Sequence, residues 1–191
     1  MYEKSITKEA LQDLPLLKFE GEIVVIENSA DLKKAIEECE KYSIVGFDTE
    51  TKPTFKKGEY NPVALVQLSL ENTAYLIRIN KTGITHDLIR LFENPNIEKL
   101  GIGLRDDIKD LQKMKSFAAA GFVDLNECAE SLEMESIGAR KLSGIFLKSR
   151  ISKNQQVSNW ENPKLTPSQM TYAATDAWIC LEIYEKMQEL L

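Results

Sequence analysis

One short segment, Ser43-Ile-Val-Gly-Phe-Asp-Thr-Glu50, constrains the fold more than any other stretch of the chain. Ile44, Val45 and Phe47 make an apolar run of the kind that forms a buried strand, and Asp48 and Glu50 close it abruptly. Alternate residues of a strand point to the same side, so the two carboxylates emerge together where the sheet ends. In open α/β sheets that end is where ligands bind. Neighbouring carboxylates repel, and one takes up a proton unless a cation neutralises the pair. A hard divalent ion with oxygen ligands is the natural partner. Two solvated acids at a strand end is the competing reading of the same residues.

The pattern on either side of this strand alternates between strand and helix. Thr7–Leu14 reads as a short helix, and Glu22–Glu27 as a strand. A helix follows from Ser29, a residue able to cap it, with Leu32, Ala35, Ile36 and Cys39 on one face. Pro53–Pro62 is a polar loop. Val63–Leu70 and Thr73–Ile79 are strands separated by Glu71-Asn72, a hairpin-length break. The second half alternates helix His86–Glu93, strand Ile97–Gly103, helix Leu104–Lys115 and strand Phe122–Leu125. Helices Asn126–Met134 and Gly138–Lys148 come next, then a polar loop, Arg150–Asn162, that contains Trp160. The last helix starts at Thr166 with Pro167 at its first position and runs to the C-terminus. This order predicts an α/β fold with a central mixed sheet flanked by helices. Residues 22–191 form the expected domain and residues 1–21 an N-terminal extension.

Composition removes several chemistries. At 191 residues the chain is expected to form one domain that folds without metal or disulfide. Its single histidine, His86, rules out a zinc site of the HExxH kind and paired imidazole chemistry. No GxSxG elbow is present for a serine nucleophile. Cys39, Cys128 and Cys180 are far apart and show no zinc-ligand spacing, which suggests buried thiols in a reducing, cytoplasmic setting. No apolar run reaches membrane-spanning length, and the first residues lack the apolar core of a secretory signal. Carboxylates are therefore the expected working groups.

Two further segments carry acids in suggestive places. Leu100-Gly-Ile-Gly-Leu-Arg-Asp-Asp107 passes from strand to helix, but spells GxGxxD rather than a dinucleotide fingerprint, and an acid at Asp106 would repel a pyrophosphate. The same strand can instead deliver Asp106 or Asp107 to the sheet end that holds Asp48, or both can be acids favoured by a helix N-terminus. Tyr172-Ala-Ala-Thr-Asp176 places a phenol and a carboxylate one turn apart on one helix face. Ala173 and Ala174 would let that face approach another backbone closely.

In this order, DxE at a strand end, Asp at a strand-to-helix junction and YxxxD on a late helix resemble the motifs of the DEDDy 3′–5′ exonucleases of the ribonuclease H-like superfamily. The likeness is to the Werner-type exonuclease domains and ribonuclease D. It extends to Val63–Ser69, Gly101-Ile-Gly103, Ser158-Asn-Trp160 and Leu165–Gln169, and covers residues 22–190. The resemblance implies that Asp48, Glu50, Asp107 and Asp176 bind two divalent ions, Mg²⁺ or Mn²⁺. It implies that Tyr172 positions the attacking water, and that nucleotides leave a 3′ end by phosphodiester hydrolysis. Asp107 rather than Asp106 matches by its distance from Gly101 and Gly103.

The implied substrate is DNA, with an RNA exonuclease of the ribonuclease D kind or a catalytically inactive nucleic-acid-binding domain as alternatives. Thr49, Gln67, Lys153 and Trp160 are the expected nucleic-acid contacts, Trp160 alternatively packing beneath the site. A net charge of −6 is unusual for a nucleic-acid binder. The local basic clusters, Lys52, Lys56 and Lys57, and Lys148, Arg150 and Lys153, are expected either to flank the site or to lie in solvated loops. Neither a membrane nor a particular protein partner is implied.

Overall fold

The computed structural model describes residues 2–56 and 58–190; Met1, Lys57 and Leu191 lie outside them, and with Lys57 goes the expectation placed on it. Strands β1 (Glu22–Ile26), β2 (Ile44–Thr51), β3 (Val63–Ser69), β4 (Thr73–Ile77), β5 (Glu98–Gly101) and β6 (Phe122–Asp124) form one sheet in the order β1-β4-β3-β2-β5-β6. β2, β3 and β4 are an antiparallel meander, while β1 runs parallel to β4, β5 to β2 and β6 to β5. The expected mixed sheet is therefore present. The helices are α1 (Lys8–Asp13), α2 (Ser29–Cys39), α3 (Ile79–Thr82), α4 (His86–Phe92), α5 (Leu104–Met114), α6 (Leu125–Ser131), α7 (Ala139–Phe146) and α8 (Pro167–Gln188).

Helices cover both faces. On one, Val45, Phe47, Val66 and Leu68 pack with Leu32 and Ile36 of α2, Leu88 and Phe92 of α4 and Leu111 of α5. Phe47 meets Phe92 and Phe122 edge-on, with ring centroids 5.9 and 5.2 Å apart, an arrangement worth about 0.5–1.5 kcal/mol beyond the area it buries. On the other face, Leu65 and Leu76 lie with Ala173 and Ala174 of α8 and with Trp160. Every residue of β3 is consequently buried, Gln67 included.

Two local expectations differ from the structure, at the start of α2 and at the end of β4. The side chain that caps α2 is Asn28, which accepts from the Asp31 backbone N–H at 2.9 Å, one residue before the expected Ser29. The β4 strand stops at Ile77, and the next residues form α3 instead of continuing it. Arg78 at that junction is fully buried, with its guanidinium on Glu27 and on the carbonyls of Asn162 and Pro163, residues distant in sequence. Residues 2–21 pack against the body. Phe19 is buried in the core beside α8, and Leu11 is buried against Gly144 of α7.

The long helix α8 is the element that places the candidate site. Thr166 caps it in a reciprocal box with Gln169, and Pro167 occupies its first turn, so its start is defined locally. Its small residues then let it lie on β2. A Cβ added at Gly46 would stand 2.1 Å from the Ala177 carbonyl oxygen. Only glycine permits that approach, which sets Asp176 above the end of β2.

Candidate active site

β2 outruns its parallel neighbour. Its pairing with β5 ends at Gly46↔Leu100, whereas its pairing with β3 continues through Asp48↔Gln67 and Glu50↔Leu65. The last acids of β2 therefore stand at an open sheet end, as its sequence predicts. Carboxylate oxygens of Asp48, Glu50 and Asp176 all lie within 4.8 Å of one another. Three partly buried carboxylates so close cannot all be ionised without a counter-charge. Burial, reinforced by the charges of Asp176 and Asp107, holds the Asp48 carboxyl well above its ordinary range. Burial and the neighbouring acids Asp48, Asp176 and Asp107 push Glu50 up to about 10. Burial raises Asp176 to about 7, with the Tyr172 hydroxyl on the same carboxylate pulling the other way. This donor set, hard oxygens at convergent positions with unneutralised charge, fits one or more divalent cations.

Asp107 sits beside this cluster without being one of the three. Its carboxylate accepts a hydrogen bond from the Thr49 hydroxyl. Burial raises it to about 6, the Thr49 bond acting in the opposite direction. Asp106 faces solvent. The neighbours thus point differently, and Asp107 is the one turned toward β2. Its helix is held by a residue that sequence reasoning missed. Asp124, at the end of β6, accepts from the backbone N–H groups of Gly103 (2.9 Å), Leu104 (2.8 Å) and Asn126 (2.9 Å). It caps α5 and α6 together, and Asn126 in turn accepts from Gly138 at the start of α7 at 2.8 Å. An Asp closing a short strand just before a helix was the available signal.

Tyr172 and the three acids line a cleft of about 560 Å³, together with Thr49, Lys153 and residues of α1 and α7. Burial and the charges of Asp176 and Glu50 raise the Tyr172 phenol far above its ordinary value of 10, so it stays protonated at neutral pH. Behind it lies Trp160, fully buried, with its ring centroid 6.0 Å from that of Tyr172.

One expected nucleic-acid contact, Gln67, needs correction, and Trp160 follows the packing alternative. Gln67 and Trp160 are both 0% exposed, so neither presents a surface to a bound strand. Trp160 packs beneath the site, and Gln67 stands on the middle strand opposite Asp48 with neither amide atom hydrogen-bonded. Among the flanking cations, Lys52 lies 3.5 Å from Glu161, and the Lys148 ammonium stands 5.8 Å from the centroid of the Tyr2 ring. Arg150 donates its Nε–H to the Leu14 carbonyl at 3.0 Å. Of the basic loop, Lys153 is the cation that lines the cleft.

Comparison with known proteins matches this sequence and architecture. A family model described as 3′–5′ exonuclease matches residues 23–191. The bifunctional 3′–5′ exonuclease/ATP-dependent helicase WRN of Mus musculus is 33% identical over 97% of the chain. The chain spans 14% of that relative's length. The Nibbler EXO domain of Aedes aegypti superposes with a TM-score of 0.79 at 26% identity, covering 89% of this chain and 88% of that one. The catalytic core of RRP6 from Trypanosoma brucei shares the fold, with a TM-score of 0.82 at 20% identity over 98% of this chain and 53% of that one.

Proposed function

The chain belongs to the 3′–5′ exonuclease family, a family of phosphodiester hydrolases, and from that premise we propose that it removes nucleotides from the 3′ end of DNA using Mg²⁺ or Mn²⁺ at its acidic cluster. The observation that carries this reading is the convergence of Asp48, Glu50 and Asp176 within 4.8 Å at one sheet end. Those three residues, with Asp107 alongside, would hold the ions. When bound, the ions supply positive charge for the phosphate oxygens that become more negative in the transition state. The chain's own contribution is to keep four carboxylates at one point, where cation binding brings them to the charged form that burial otherwise opposes. Tyr172 keeps its proton, so it acts by orienting the attacking water through a hydrogen bond and not as a general base. Lys153 contacts the phosphodiester backbone from the cleft wall. DNA is the inferred substrate because the 33% identical relative joins its exonuclease to a helicase, whereas the exoribonuclease RNase D of Escherichia coli, at 21% identity, supports the fold alone.

The test is digestion of matched DNA and RNA oligonucleotides, labelled at the 5′ or 3′ end, with Mg²⁺, Mn²⁺ or EDTA. A 5′-labelled DNA ladder that shortens from its 3′ end, is abolished by EDTA and is lost in Asp48→Ala supports the reading. Faster RNA digestion overturns the substrate assignment. Wild-type digestion by Asp48→Ala overturns the site.

A further inference from the structure

Residues 2–21 are built into the cleft. Leu17 N–H donates to the Arg150 carbonyl at 2.8 Å, Arg150 N–H to the Pro15 carbonyl at 2.9 Å, and Phe19 N–H to Thr175 Oγ1 of α8 at 2.9 Å. These bonds seat α1 against α7, and the first turns of both helices line the same 560 Å³ cleft as the three acids. They bring Lys8, Arg140 and Lys141 there, beside Lys153. In a chain of net charge −6 this is a local concentration of positive charge.

These cations are unspent. None of Lys8, Arg140, Lys141 and Lys153 lies within 4.0 Å of a carboxylate among the described residues, unlike Lys34, Lys41, Lys81, Arg78 and Arg90. The Nε–H of Arg140 is moreover shielded from solvent with no acceptor. Arg140 lines the cleft with no carboxylate partner among the described residues, so the hydrogen-bonding capacity of its guanidinium that is not closed off by packing is left for a ligand there. The ligand class that satisfies a forked donor with two flanking ammonium groups, beside a site that cleaves phosphodiesters, is the phosphate backbone of the substrate strand.

We propose that the first turns of α1 and α7, through Lys8, Arg140 and Lys141, form a phosphate-binding wall of the cleft, so that residues 2–21 belong to the substrate-binding machinery. This rests on the exonuclease reading. Arg140 anchors one phosphate through its fork, and the two lysines act as point charges on its neighbours. The wall grips the strand without touching the reacting phosphate, so it governs binding.

Steady-state digestion of a 5′-labelled single strand, over a salt series and with strands shortened stepwise to a dinucleotide, tests this. Arg140→Gln should raise KM about tenfold with kcat within about twofold of wild type. It should also flatten the dependence of log(kcat/KM) on log salt by about 0.7, the amount for one phosphate on a single strand. Arg140→Lys should restore the salt slope and only part of KM. Lys8→Ala and Lys141→Ala should each raise KM about threefold, and each of these KM defects should shrink as the strand shortens. Lys34→Ala removes a charge remote from the cleft, on α2, and should change neither quantity. If Arg140→Gln does not fold, the two exposed lysines decide by the same criteria. Wild-type KM and salt slope in the folded variants, or KM defects that do not depend on strand length, overturn the wall. Wild-type protein that releases no nucleotides from the strand with Mg²⁺ or Mn²⁺ overturns the exonuclease reading instead.

Discussion

Replacing Asp176 by asparagine should stabilise the protein when no metal is bound. The carboxyl of Asp176 is raised from an ordinary 3.8 to about 7, chiefly by burial. In the unfolded chain it ionises near 3.8, so between those two values the folded state binds more protons than the unfolded state. Stability of the metal-free protein therefore falls as pH rises through that window, and the loss is complete above about 7. Each tenfold weakening of an acid corresponds to about 1.4 kcal/mol, so a displacement from 3.8 to about 7 amounts to at most about 4 kcal/mol at pH 8. That is a large share of the roughly 5–15 kcal/mol that holds a domain together. Asp176→Asn removes the titration and keeps the shape. Urea denaturation in EDTA should find it more stable than wild type by up to that amount at pH 8, and by less than half as much at pH 5. Saturating Mg²⁺ should close or reverse the gap, because a ligand bound only by the folded state stabilises wild type by mass action. The argument fails if wild-type stability in EDTA is flat from pH 5 to pH 8, or if Asp176→Asn is no more stable at pH 8.

Other perturbations test separate links. Asp107→Asn should reduce DNA digestion severely and Asp106→Asn mildly, since Asp107 faces β2 and Asp106 faces solvent; equal losses would remove Asp107 from the site. Tyr172→Phe should slow single-turnover digestion by about 10²–10³-fold, with Mn²⁺ affinity by calorimetry unchanged, and an unaltered single-turnover rate would leave the phenol a packing residue. Gly46→Ala forces a methyl against the Ala177 carbonyl, so it should cost about 3 kcal/mol in denaturant titrations and depress activity as α8 lifts; wild-type stability would show that α8 is free to move. Gln67→Leu removes a buried amide with no hydrogen-bond partner, and thermal melts should show a gain corresponding to about 1 kcal/mol; a loss would mean that the amide is satisfied in solution.

What local sequence could determine was the alternation of elements and the acids at their ends. An apolar strand that stops at Asp48 and Glu50, a capped helix start at Thr166, and the one-turn spacing from Tyr172 to Asp176 are short-range features. Strand and helix periodicity express them directly. The small residues Ala173 and Ala174 of α8 were legible for the same reason and are buried against Leu65 and Leu76, while the close approach to the backbone at Gly46 is made by Ala177, one turn on. What tertiary structure alone decided was which faces are covered. Gln67 lies in a polar-tolerant position by alternation, yet β3 is the third strand from one edge of the sheet, with helices on both faces, so no side chain of it reaches solvent. Trp160 sits in a polar loop, but the loop folds it under Tyr172. Arg78 ends β4 through Glu27, Asn162 and Pro163, and the N-terminal segment becomes a wall of the cleft through bonds to Arg150 and Thr175. Each of these outcomes depends on partners far along the chain. Periodicity reports what a segment can bury, and only the closed fold determines what is there to bury it against.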